Sequence, residues 1–155
     1  MFRILIEDIR DFHVKHGLGY DGPPRALLPE MFMFRHKFMI EEANEWSEAQ
    51  GHLHAATRHD PELVTVDAAD VTHNMAKALD AIVDVIYITL GNAYLQGFTE
   101  KEIGEAWQRV HAANMQKIRG PSARSDKFDI VKPPGWEPPK LDDLVEHHIY
   151  SKPKG

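Results

Sequence analysis

Residues 74–97 read NMAKALDAIVDVIYITLGNAYLQG. Met75, Leu79, Ile82, Val83, Ile86, Leu90, Ala93 and Tyr94 follow the three-and-four spacing of one helix face, and Gly97 punctuates the end. The same period extends upstream through Leu27, Leu28, Met31, Phe34 and Phe38, past Met39 and Ile40, to Trp46. That series predicts one helix from about Arg25 to Gln50, with Pro29 tolerated in its first turn and Gly51 as its stop. Nearer the N-terminus, Phe2, Leu5, Ile6, Ile9 and Phe12 predict a helix over residues 1–16, broken by GLGYDGPP (17–24). Downstream, Thr99 with Glu102 three residues on reads as a capping box. The helix it opens carries Ile103, Trp107, Val110, Ala113 and Met115 to about Ile118, and Gly120-Pro121 ends it.

Two stretches resist this reading. Residues 51–73 hold His52, His54, His59 and His73 in a polar setting, consistent with a short helix or an ordered insertion. The segment DKFDIVKPPGWEPPKL (126–141) is not helical across its prolines, each of which lacks a donor N–H and restricts its predecessor. A last short helix is expected from Leu141 to His148. No strand alternation of any length interrupts the pattern. The expected fold is therefore all-α, a bundle of four to five helices. It forms one domain, with a helical core over about 1–119 and an extended Pro-rich segment over about 120–155.

Composition narrows the function classes. The chain has 155 residues, 24 acidic and 18 basic, for a net charge of −6. Phosphate neutralisation needs clustered Lys and Arg, so this balance argues against a nucleic-acid partner. Cysteine is absent, which excludes disulfides, thiolate zinc sites and thiol catalysis. The N-terminal MFRILIEDIRDF has acids within its apolar run and does not read as a signal peptide. The longest apolar run, Ala81 to Leu90, is interrupted by Asp84 and is shorter than a bilayer span. A soluble, cytoplasmic protein with no membrane partner is expected.

The informative residues are acids beside core positions. In FMIEEANEWSEA (38–49), Glu41, Glu42 and Glu45 lie within two turns, and Glu48 follows Glu45 by three. Such spacing makes carboxylates neighbours on one helix surface, where like charges repel by about a few tenths of a kcal/mol per pair. The next helix supplies Asp80 and Asp84 one turn apart, Asp84 inside AIVDVIYI. An ionised carboxylate in so apolar a run needs a partner. Glu runs are usually solvated faces, and an Arg or a helix end also satisfies an Asp. Two acid-bearing helices that meet would instead hold a hard divalent cation such as Mg²⁺, with waters and substrate phosphate completing its shell.

The second half carries groups that suit a nucleotide. Asn114 and Lys117 lie one turn apart, following Arg109 and His111. Lys neutralises phosphate as a point charge, and Asn pairs donor and acceptor groups. A polar helix C-terminus, with Lys117 and Arg119 complementing the dipole, explains the same residues. Trp136, in PPGWEPP, either stacks on a base or pins the tail to the bundle. The histidines lack H-E-x-x-H spacing and are taken as incidental, as is the terminal pair His147-His148. Neither a P-loop nor a G-x-S-x-G elbow occurs.

Glu41-Glu42-x-x-Glu45, then D-x-x-x-D-x-x-Y at Asp80, Asp84 and Tyr87, resembles the MazG-like all-α nucleoside triphosphate pyrophosphohydrolases. That superfamily also holds dimeric dUTPases, dCTP pyrophosphatases and phosphoribosyl-ATP pyrophosphohydrolase. YITLGNAYLQGF, VHAANMQKIRGP and VKPPGWEPP continue the resemblance, the last two in the manner of bacterial and phage members. It covers most of Phe38 to Pro139 apart from the histidine-bearing stretch. The resemblance implies a homodimer or homotetramer with two or more Mg²⁺ or Mn²⁺ ions per site. It also implies cleavage of a (deoxy)nucleoside triphosphate between the α and β phosphates. Carried over by position, Glu42, Glu45 and Asp84 are metal ligands, and Glu41 is a ligand or the base that orients water. The motif's further Glu falls at Ala81, and the adjacent Asp80 is expected to take over its carboxylate. Asn114 and Lys117 match the segment facing the nucleotide, and Trp136 the one covering the site.

The residue types agree with that chemistry, since a metal-activated water needs no Cys or Ser nucleophile. Candidate substrates are purine deoxynucleotides (dGTP, dATP) or pyrimidine ones (dUTP, dCTP). A competing expectation is a non-catalytic nucleotide-binding or dimerisation module, with a metal site degenerate at position 81. The surplus of apolar residues on the second and third helices, Phe34, Phe38, Trp46, Ile86, Tyr87 and Tyr94, favours a subunit interface over the alternative of a thicker monomer core.

Overall fold

The computed structural model describes residues 2–57, 68–122 and 129–149, with side chains described over 5–55, 68–122 and 129–146. Five helices account for most of them: α1 (Phe2–Lys15), α2 (Pro29–Thr57), α3 (Ala68–Leu95), α4 (Glu100–Met115) and α5 (Asp142–Ile149). The fold is all-α. A single two-residue ladder departs from the strandless expectation, with Ile118–Arg119 (β1) pairing antiparallel to Ile130–Val131 (β2).

The boundaries of α2 and α3 differ from those the sequence suggests. α2 begins at Pro29 rather than Arg25 because residues 25–28 are held elsewhere: the Arg25 amide donates to the Gln96 carbonyl at 2.9 Å. It then runs through Gly51 to Thr57, so Gly51 is an interior glycine and not a stop. One helical glycine costs only about 1 kcal/mol, which tertiary packing overrides. α3 starts at Ala68, six residues before the periodic pattern sharpens. The histidine-bearing stretch is thus partly helix at both ends, and residues 58–67, His59 among them, lie outside the described residues. So do the side chains of His147 and His148.

α2 and α3 form an antiparallel hairpin, the dominant contact of the fold, with α1 laid against α3 and α4 against α1. Small residues line the seam. Ala49, Ala78, Ala81 and Gly91 are buried and let the long helices approach closely. Arg35 ties the pair together, its Nε donating to Asn92 Oδ1 at 2.7 Å and its Nη2 to the Ile88 carbonyl at 2.9 Å. From α1, Ile6, Ile9 and His13 complete the core. α3 ends in a Schellman motif: Phe98 N–H bonds the Ala93 carbonyl and Gly97 N–H that of Tyr94, with Gly97 at φ +86°. A Cβ there would lie 2.8 Å from the Gly22 and Pro23 carbonyl oxygens, so glycine is required. The Thr99 capping box then opens α4 as expected, Thr99 N donating to Glu102 Oε2 at 2.7 Å.

Much apolar surface stays outside this core. On α3, Met75, Leu79, Ile82, Val83 and Ile86 form an exposed stripe, Leu79 at 63%. On α2, Phe32, Met33, Phe34, Ile40 and Trp46 are likewise exposed. By length and composition the 28-residue α3 could cross a membrane, although the apolar run within it is short. It carries Lys77, Asp80 and Asp84 midway, which hydrocarbon disfavours.

Candidate active site

Glu41, Glu42 and Glu45 occupy the middle of α2, and Asp80 and Asp84 the middle of α3. The antiparallel pairing brings the two sets together. Burial pushes the Glu42 carboxyl above its ordinary value, and the charges of Glu45, Asp84, Glu41 and Asp80 push it further. Glu42 is therefore the electrostatic centre of all five acids. Glu42 and Asp84 are half-buried, whereas Glu41, Glu45 and Asp80 are exposed. Among the described residues none of the five forms a hydrogen bond or ion pair with a donor side chain. Among the described residues neither an arginine nor a helix end pairs with Asp84.

Hard oxygen donors on facing turns, mutually repelling and without an ion pair among the described residues, are a donor set that fits Mg²⁺ or Mn²⁺. The side chains do not already converge: no group of three or more His, Asp or Glu among the described residues stands close enough to share one ion. Ala81, where the resemblance expects a Glu, is a methyl group packed in the seam at 1% exposure. Asp80 is the exposed neighbour. Tyr87, third member of the sequence motif, packs its ring edge-on against Phe12, 5.5 Å between centroids, and so braces α3 on α1.

A cleft of about 350 Å³ adjoins the acids, lined by Glu45, Glu48, Ala49, His52, Lys77 and Asp80. His52 Nε2 stands 3.7 Å from Glu48 Oε1, whereas Lys77 makes no ion pair or hydrogen bond among the described residues. Sequence reading passed over Lys77 and took His52 as incidental. The available signal was the register of Lys77, one turn before Asp80 on the same helix.

The other predicted site residues lie apart from the acids. Asn114 is exposed in the last turn of α4, and Lys117 follows it. α4 approaches α1 and α5 but neither α2 nor α3. Trp136 is half-buried and donates from Nε1 to the Ala113 carbonyl at 2.8 Å. Lys132 and Lys117 place their ammonium groups 4.5 and 5.5 Å from its ring centre. Of its two expected roles, pinning the tail is the one realised within a single chain. Arg109 secures the tail further on, binding both carboxylate oxygens of Asp143 at 2.6 and 2.8 Å.

A helical hairpin carrying acids on both arms, braced by a third helix, agrees with the resemblance to the MazG-like all-α pyrophosphohydrolases noted in the sequence. The chain belongs to the phosphoribosyl-ATP pyrophosphohydrolase family, whose model it matches over residues 10–114, about two thirds of its length. The matched span contains all five acids and ends at Asn114. No curated protein matches the chain.

Proposed function

We propose that the protein hydrolyses a (deoxy)nucleoside triphosphate between its α and β phosphates, releasing the monophosphate and pyrophosphate. The observation that carries this reading is the set of carboxylates around Glu42, none of which forms an ion pair among the described residues. Glu42, Glu45, Asp80 and Asp84 would hold two or more Mg²⁺ or Mn²⁺ ions. Bound there, the cation supplies neutralisation of the triphosphate and a source of hydroxide near neutral pH. Glu41, exposed beside Glu42, takes the proton from the attacking water. Attack at the α-phosphorus breaks its bond to the bridging oxygen, and pyrophosphate departs with that electron pair.

Asn114, Lys117 and Trp136 complete the site from a second copy of the chain. Within one chain α4 stays clear of α2 and α3, while both acid-bearing helices expose apolar faces that a partner subunit would cover. A homodimer or homotetramer in the cytoplasm is the assembly proposed. A deoxynucleotide, purine or pyrimidine, is the substrate class proposed. The family's own name makes phosphoribosyl-ATP the second candidate.

Incubating the pure protein with the common NTPs and dNTPs, dUTP and phosphoribosyl-ATP, in Mg²⁺ or Mn²⁺, tests the reaction and its substrate class together. Monophosphate and pyrophosphate from one or a few of them is the expected result. No turnover with either metal would leave a helical nucleotide-binding module in its place.

A further inference from the structure

Lys77 is a cation among acids that ties itself to none of them. It shares the 350 Å³ cleft with Glu45, Glu48 and Asp80, yet forms no ion pair with a described residue. His52, the other basic group there, stands instead beside Glu48. A lysine that only balanced these charges would be expected to lie on one of them.

The cleft also has a direction. Glu45 and Asp80 belong both to the five-acid set and to the cleft wall. Lys77 precedes Asp80 by three residues, and Glu48 follows Glu45 by three, so the cleft continues the row of acids by about one turn, or 5.4 Å. Two turns of α2 before Glu42, and on the other side of the seam, Arg35 lines a separate hollow of about 290 Å³ with Phe32, His36, Met39, Asn92 and Gln96. Rings and amides there suit a nucleoside rather than a polyanion. On the side of the seam that carries Glu45 and Asp80 the order is thus carboxylates, then an ammonium with no partner among the described residues.

We propose that Lys77 binds the pyrophosphate half of the substrate, in the cleft it shares with Glu45, Glu48, His52 and Asp80. This rests on the hydrolysis proposed above and assigns the direction in which the phosphate chain lies. Lys77 offers a strongly hydrated point charge on a flexible stem, suited to a group that must be held through attack and then released. Its charge draws the β and γ phosphates away from the α-phosphorus and stabilises the negative charge that collects on the leaving oxygen. Carboxylates alone would repel that anion once the cation's charge was matched.

Calorimetric titration of pyrophosphate into the full-length protein in Mg²⁺, with nucleoside monophosphate titrated in parallel, separates the two halves of the site. Lys77→Gln is expected to weaken pyrophosphate binding about tenfold or more, the worth of one charge-assisted contact, and to leave monophosphate binding within about twofold. Lys77→Arg is expected to recover most of the loss, and thermal melts of both variants should match the wild type. Pyrophosphate affinity unchanged in Lys77→Gln, or lost equally with monophosphate affinity, would overturn the assignment. If the wild type binds pyrophosphate through Lys77 yet turns over no nucleotide, the hydrolysis reading fails and Lys77 is left as a pyrophosphate ligand without a leaving-group role. If it hydrolyses nucleotides with pyrophosphate affinity indifferent to Lys77, the reverse holds.

Discussion

The indole N–H of Trp136 reaches the Ala113 carbonyl at 2.8 Å, so an aromatic ring from the Pro-rich tail closes over the last turn of α4. Ala113 is buried, and its carbonyl also accepts from the Gln116 amide at 3.3 Å. The indole thus gives a second, shorter hydrogen bond to a carbonyl in the last turn, where intrahelical donors run out. Lys117 and Lys132 flank the ring, so the tail, the end of α4 and the ladder of β1 and β2 form one unit.

Replacing Trp136 by Phe keeps a ring and removes the donor. The expected cost is about 1 kcal/mol, seen as a lower midpoint in urea unfolding followed by far-UV circular dichroism. An unchanged midpoint would mean that the bond is not made in solution.

Glu42 predicts a stability that depends on metal and pH together. Its folded carboxyl lies above the usual range, so the folded state binds its proton more tightly than the unfolded chain. Stability from this group is therefore present at low pH and lost as pH rises through the raised value. In metal-free buffer near neutrality, Glu42→Gln should raise the thermal midpoint and abolish nucleotide hydrolysis. Added Mg²⁺ should stabilise the wild type and do little for the variant. A variant that melts lower without metal, or keeps full activity, would remove Glu42 from the site.

His13 predicts the opposite slope. It is 1% exposed, its Nδ1 donates to the Ile9 carbonyl at 2.7 Å, and its Nε2 has no partner among the described residues. Burial holds it below its ordinary 6.5, with the nearby Arg35 and His16 charges adding to the effect. A depressed folded value means stability present above about pH 6.5 and lost as pH falls from there. Unfolding midpoints between pH 8 and pH 5 should decline in the wild type and decline less in His13→Gln. Parallel profiles would assign the loss to other groups.

The sequence made the helices legible where each choice was local. Apolar spacing placed α1 and the body of α3, and Thr99 with Glu102 marked the start of α4 to the residue. It misplaced the ends of α2, since Gly51 reads as a stop in isolation whereas the helix runs through it to Thr57. The acids were visible because carboxylates in apolar runs are costly and therefore conspicuous. Lys77 was not, because an exposed lysine on a helix is the commonest of surface residues. Its position acquires meaning only when α2 brings Glu45 and Glu48 across from it. Trp136 was ambiguous for the same reason: the Ala113 carbonyl it meets is 23 residues away.

Arg35 stands seven residues before Glu42 on α2, and its two anchors, Ile88 and Asn92, stand four and eight after Asp84 on α3. Those bonds fix which turn of one helix faces which turn of the other. A slip of one residue would swing each acid by about 100° relative to its opposite number. The spacing of the carboxylates is thus calibrated from a distance, by a guanidinium that touches none of them. Evolution could retune the gap between the two acid rows, and with it the ions they accept, by editing that remote gauge while every acid stayed in place.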